Sequence, residues 1–142
     1  MGHAMPMTEQ ELDEFLSAPR VAVLSTVDAQ GRPRQAAIWY YWEDGAAYLF
    51  TGRRTLKWRN LLRDPHASLC IDDRTPPYSS VVLEGTVEES DRSMYELVLK
   101  MALAYYGEEK GRPFAEGYRD KPDSVLFKLT SERIVSFKSD SY

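Results

Sequence analysis

The sequence predicts a mainly β fold: a closed antiparallel barrel of six or seven strands with helices outside it. Three observations lead there. Runs rich in β-branched and aromatic residues alternate with turn signals, as half-buried strands do. The turns Asp28-Ala29-Gln30-Gly31 and Glu43-Asp44-Gly45 have a mechanism, since aspartate favours a turn's start and glycine relieves a positive φ. Consecutive hairpins exclude a doubly wound parallel sheet, and closing the sheet on itself removes its edges.

The elements follow in order. Thr8-Glu9-Gln10-Glu11 is a capping box that opens a short helix with Leu12, Phe15 and Leu16 facing inward. Ser17-Ala18-Pro19 ends it. Residues 20–27 make the first strand and residues 33–42 the second. Along that second strand Ala36, Ile38, Tyr40 and Trp42 share one face, and Gln35, Ala37, Trp39 and Tyr41 the other. A small barrel cannot bury both aromatic rows, so one row is expected to meet a partner subunit. Residues 46–51 are the third strand. A short helix from Thr55 to the Asp64-Pro65 stop comes next. Residues 66–72 and 79–88 are strands four and five, separated by the loop 74–78. Ser90 or Asp91 caps the clearest helix, in which Met94, Leu97, Val98, Met101, Ala102 and Tyr105 recur at helical spacing before Gly107. Residues 108–122 read as a polar loop. Residues 124–130 and 133–138 read as a closing hairpin.

A chain of 142 residues accommodates one domain, assigned to 8–142, with 1–7 as a disordered terminus or expression remnant. Its 43% hydrophobic and 12% aromatic content is that of a folded protein. No apolar run approaches the roughly 18 residues of a membrane helix, so no membrane association is expected. The first seven residues lack a secretory pattern, and Cys70 is the one cysteine. Neither an internal disulfide nor a cysteine metal site is available, and the cytoplasm is the expected compartment. A net charge of −4 argues against a general nucleic-acid binder.

Against that acidic background, one stretch concentrates positive charge. Strand end, glycine turn and helix start coincide at Thr51-Gly52-Arg53-Arg54-Thr55-Leu56-Lys57. The first N–H groups of a helix have no internal partner and its dipole leaves that end partly positive. Thr51, Arg53, Arg54 and Lys57 crowd the same end, which is the chemistry of a phosphate site. A solvated basic face over Leu56, Leu61 and Leu62 is the alternative. The Walker pattern is absent.

Little else carries chemistry. His66, at a strand entry, reads as a surface residue, and Cys70, in an apolar strand, as core. No nucleophile elbow, zinc-binding helix motif or paired glycosidase carboxylates occur. A catalytic residue is therefore not assigned, no metal site is expected, and a cofactor should carry any reaction.

Five pieces resemble one known family. They are Leu24-Ser25-Thr26-Val27 with Gly31-Arg32-Pro33-Arg34; Ala37-Ile38-Trp39-Tyr40; Thr51-Gly52-Arg53-Arg54-Thr55-Leu56-Lys57-Trp58-Arg59-Asn60-Leu61; Val82-Leu83-Glu84-Gly85-Thr86-Val87; and Arg133-Ile134-Val135-Ser136-Phe137. Together they resemble the pyridoxamine 5′-phosphate oxidase-like split β-barrels, which bind FMN or the deazaflavin F420. By that resemblance Thr51, Arg54 and Lys57 hold the cofactor phosphate, Gly52 and Arg53 belong to the same cofactor-binding turn, and Ala37, Ile38 and Trp39 line the ring. The family also implies a homodimer with the cofactor at the subunit interface, closed by Tyr78, Ser79 and Ser80 of the partner subunit. Relatives commonly carry proline where this chain has Ala37.

The resemblance implies an oxidoreductase that exchanges hydride with a small organic substrate. F420 is the expected cofactor, because its glutamate tail needs cations beyond the phosphate and Arg53, Arg59 and Arg63 offer them. FMN is the alternative, and a non-catalytic flavin, deazaflavin or haem carrier is a further one. An oligonucleotide-binding barrel using Trp58 and the arginines is disfavoured by the acidic total charge.

Overall fold

The computed structural model describes residues 4–139. Its strands are β1 (Ala4–Met5), β2 (Ala22–Val27), β3 (Pro33–Ile38), β4 (Tyr41–Glu43), β5 (Ala46–Gly52), β6 (His66–Asp73), β7 (Ser79–Glu89) and β8 (Ser124–Ser139). Its helices are α1 (Glu9–Ser17), α2 (Leu56–Arg63), α3 (Met94–Tyr106) and α4 (Glu108–Glu116). Every ladder is antiparallel, in the order β3-β2-β6-β7-β8-β5-β4, with β1 added on β8. The sheet curls into a split barrel, mainly β as expected. Its path ends at β3 and β4, which adjoin in sequence but share no ladder among the described residues.

Alternation decides which side chains enter. Leu24, Leu49, Leu69, Ile71, Val81, Leu83, Phe127 and Leu129 point into the barrel and are buried. Leu16 of α1 and Trp58 and Leu61 of α2 complete that core. A second core lies outside β5, where Ala46, Tyr48 and Leu126 pack under Leu97 and Met101 of α3. Buried on both faces, β5 reads as the unbroken apolar run Ala46-Ala47-Tyr48-Leu49-Phe50.

The second strand is interrupted at Trp39-Tyr40, yet its alternation survives the break. Ile38, Tyr40 and Trp42 belong with the barrel core; Trp39 and Tyr41 lie against the α3 core. Both aromatic rows are thus covered within one chain, because α3 and α4 roof the outer one. The reason given above for a partner subunit does not hold. A different outer row offers a surface. Ala37, Val23, Cys70, Val82 and Val135 stand in register across β3, β2, β6, β7 and β8. Val135 remains 42% exposed, and Val21 and Tyr78 are exposed as well.

Several expectations need correction. Cys70 is exposed on that outer row, because Leu69 and Ile71 take the inward positions on either side of it. Ser93, not Ser90 or Asp91, caps α3 by accepting the Glu96 N–H at 3.2 Å. Ser90 instead accepts the Arg92 N–H, and its own N–H donates to Leu126 O. The expected loop after Gly107 is helix α4. Gly107, at φ 82°, reverses the chain between the two helices, and Pro113 is tolerated within α4. The expected closing hairpin is one strand, β8. Its first half pairs with both β5 and β7 and its second half with β7. Near the start, Ala4–Met5 pairs with β8 and the Met7 N–H donates to Ser136 Oγ at 2.9 Å. Residues 1–3 lie outside the described residues.

The two halves of β8 meet at a bulge. Glu84 faces Arg133 while Gly85 faces Ser131, which leaves Glu132 as the extra residue. A Cβ on Gly85 would sit 1.9 Å from the Thr130 carbonyl oxygen. Only glycine permits that approach of β7 to β8.

Candidate functional site

Thr51, at the end of β5, is buried, and its Oγ1 lies 3.4 Å from Thr55 Oγ1. Thr55 is the expected N-cap of α2: its hydroxyl accepts the Trp58 N–H at 3.3 Å and donates to Gly52 O at 2.8 Å. The turn is therefore tied to the helix it opens. Farther along α2, the fully buried Asn60 donates from Nδ2 to Thr26 Oγ1 at 3.1 Å. Arg63 donates to Asn60 Oδ1 at 3.1 Å and to Val27 O. This fixes α2 against the end of β2, and breaking it would strand buried polar groups at about 1–3 kcal/mol each.

Between α2 and β3 runs a groove of 280 Å³ lined by Leu24, Thr26, Arg34, Gln35, Ala36, Leu56 and Lys57. No carboxylate faces it. The side chains of Lys57, Arg54 and Arg59 have no hydrogen-bond or ion-pair partner among the described residues. The first turn of α2 holds no acid. Those cations together with the helix dipole favour an anion at this end.

The neighbouring arginines differ. Arg53 makes a two-pronged ion pair with Glu89, at 3.2 and 2.7 Å, and donates to Pro122 O at 3.3 Å. That pairing holds the Glu89 carboxyl below its usual range. With Arg63 on Val27 O and Asn60, two of the three cations assigned to a tail have structural partners.

Of the ring-lining residues, Ala37 is exposed and Ile38 belongs to the barrel core. Trp39 stacks on Tyr105 with ring centroids 4.7 Å apart and also meets Tyr106 and Phe114. Ala36, one residue earlier, lines the groove instead. Tyr78, Ser79 and Ser80, at the start of β7, do not line it; Ser79 borders a separate depression with Met7, Arg20 and Lys138. The expected site residues did not include Leu56, Leu24, Thr26, Arg34, Gln35 or Ala36, which line the groove. The period of two that puts Arg34 and Ala36 on one face of β3 could have indicated the last of these.

Asp28 opens the β2–β3 turn and is 6% exposed. Its Oδ1 accepts the N–H groups of Gln30 and Arg32 at 2.9 Å each, and its Oδ2 accepts from Arg34 Nε at 3.0 Å. The Arg32 N–H bond is the main reason its carboxyl titrates below the ordinary aspartate range. A lowered folded-state value stabilises the turn fully above the ordinary aspartate value, and the contribution disappears as pH falls through the lowered one.

The model of the family described as pyridoxamine 5′-phosphate oxidase matches residues 8–138. The chain belongs to that family. Among solved structures similar to this family member is the conserved hypothetical protein Rv2991 from Mycobacterium tuberculosis. It has 25% identity, covers 93% of this chain and 85% of its own, and gives a TM-score of 0.80. An F420 reductase is 20% identical over 87% of this chain and 94% of its own, with a TM-score of 0.70. HutZ, the heme storage protein from Vibrio cholerae, is 23% identical over 92% and 94%, with a TM-score of 0.68. No curated protein matched. The likeness to the reductase and to HutZ is one of fold, and no helix among the described residues is long and apolar enough to cross a membrane.

Proposed function

We propose that the protein is an oxidoreductase that binds F420 with the cofactor phosphate at the opening turn of α2. One observation carries this reading: the unpartnered cations Arg54, Lys57 and Arg59 gather at one helix, beside a groove without carboxylates. Lys57 reaches the groove itself; Arg54 and Arg59 are exposed nearby. Bound there, a deazaflavin would supply hydride exchange with a small organic substrate, chemistry the side chains of the groove cannot provide. The chain's own contribution is to fix the phosphate through Lys57 and to offer Leu24, Ala36 and Leu56 as apolar wall.

FMN is the second reading. It is favoured by the partners that Arg53 and Arg63 already have, which leave Arg59 as the spare cation for a glutamate tail. Titrating the protein with each cofactor separates them; tight FMN binding without F420 binding would reverse the choice. Lys57→Ala is expected to weaken either phosphorylated cofactor about tenfold or more, the worth of one charge-assisted bond. Circular dichroism should stay unchanged. Affinity equal to the parent's would move the anchor elsewhere.

We also propose a homodimer across the outer row Ala37, Val23, Cys70, Val82 and Val135. A contiguous apolar strip of this kind, with Ala37, Cys70 and Val135 exposed and Val23 and Val82 half-buried, is characteristic of an interface. Such a pairing would let Tyr78, Ser79 and Ser80 of the partner subunit close the cofactor site.

A further inference from the structure

Arg34 lies on the β3 wall of the groove, across from Lys57. Its mount is rigid. Asp28 is buried, and its carboxylate is fixed by two backbone N–H groups before Arg34 is added. Only Arg34 Nε is taken up, by Asp28 Oδ2 at 3.0 Å. A guanidinium carries five N–H donors, so the four on its Nη atoms remain, and they have no partner among the described residues. The side chain is 51% exposed.

Two cations therefore border one groove whose lining includes no acid. A salt tie to Asp28 alone would account for Nε but leaves the outer edge of the fork unused. That edge suits two oxygens of one phosphate, the geometry in which arginine differs most from lysine. Because Asp28 already restrains the side chain, less rotamer freedom is lost when an anion binds.

We propose that Arg34 is a second anion-binding residue of this groove, offering its Nη edge to the phosphate that Lys57 engages from the α2 wall. This rests on the groove being the phosphate end of the cofactor site. Arg34 then acts as a preset receptor and Lys57 as the flexible arm. The ligand class is a phosphorylated flavin or deazaflavin rather than the dephosphorylated ring compound.

Arg34→Gln, Arg34→Lys and Lys57→Ala, each titrated with FMN, F420 and riboflavin, test it. Arg34→Gln should bind the two phosphorylated ligands about tenfold more weakly, with riboflavin affinity unchanged and circular dichroism showing the fold retained. Arg34→Lys should recover part of the loss. Undiminished affinity for FMN and F420 in Arg34→Gln overturns the proposal. Equal weakening of riboflavin and FMN also overturns it, since Arg34 would then act only through the turn. If Lys57→Ala loses affinity and Arg34→Gln does not, this inference fails and the cofactor reading stands. If neither variant loses affinity, both fail.

Discussion

Gly85→Ala is expected to lower stability by at least ~3 kcal/mol, near the upper end for a single added methyl group. The new Cβ would lie 1.9 Å from Thr130 O and 2.8 Å from its carbonyl carbon. Those atoms are backbone, so no rotamer change relieves the clash; β7 and β8 must separate. For a domain of this size that loss lowers the thermal midpoint by roughly 10 °C. Gly45→Ala makes a useful comparison. Gly45 has φ 75° but nothing within 4 Å of its Cβ position, so only backbone strain of about 1–2 kcal/mol applies. Thermal unfolding of the two variants should rank Gly85→Ala clearly lower. If it melts within a degree or two of the parent, the close approach of the strands is misdescribed.

The second large effect concerns assembly. Cys70→Arg puts a charge at the middle of the outer apolar row, where the monomer leaves the position exposed. A folded monomer keeps that charge in water, whereas a dimer across the row must bury it unpaired at ~3–5 kcal/mol. Dimer dissociation should therefore become a few hundredfold or more easier. Sedimentation should find the parent at twice 16.3 kDa and the variant at 16.3 kDa, with matching circular dichroism. A parent that sediments as a monomer at micromolar concentration removes the dimer altogether. A variant that stays dimeric moves the interface to another face.

The inward faces of the sheet were legible wherever polar and apolar residues alternate, as from Val81 to Val87. Cys70 was not: His66, Ser68 and Asp72 mark its face as the outward one, but a small apolar thiol fits either side. Helix α4 was hidden by Gly107, Gly111, Pro113 and Gly117, although Gly111, Phe114, Ala115 and Tyr118 hold the 0, 3, 4, 7 spacing of a helical face. Gly111 even has a packing reason: a Cβ there would come 2.7 Å from Ala102 O on α3. The polar step Thr130-Ser131-Glu132 reads as a turn in sequence and is a bulge in space. Lys57 and the Thr55 cap could be found locally, because a helix start is local. What Arg53 and Arg63 do could not, since Glu89 and Val27 each lie 36 residues away. The placing of Arg34 and Lys57 on one groove was hidden for the same reason.

The sixteen-residue strand β8 is the common partner of β1, β5 and β7. Until it arrives, β5 with β4 and β7 with β6 and β2 form two separate sheets, each with an open edge. The order of synthesis therefore dictates when the protein can become stable. Both half-sheets are made first and must wait, unsealed, for a segment that follows two helices. Such dependence on late, distant contacts slows folding and exposes strand edges meanwhile. Ribosome-stalled chains should remain sensitive to protease until residues 124–139 have left the exit tunnel, then become resistant in one step. Gradual protection before that point would mean the half-sheets are stable alone.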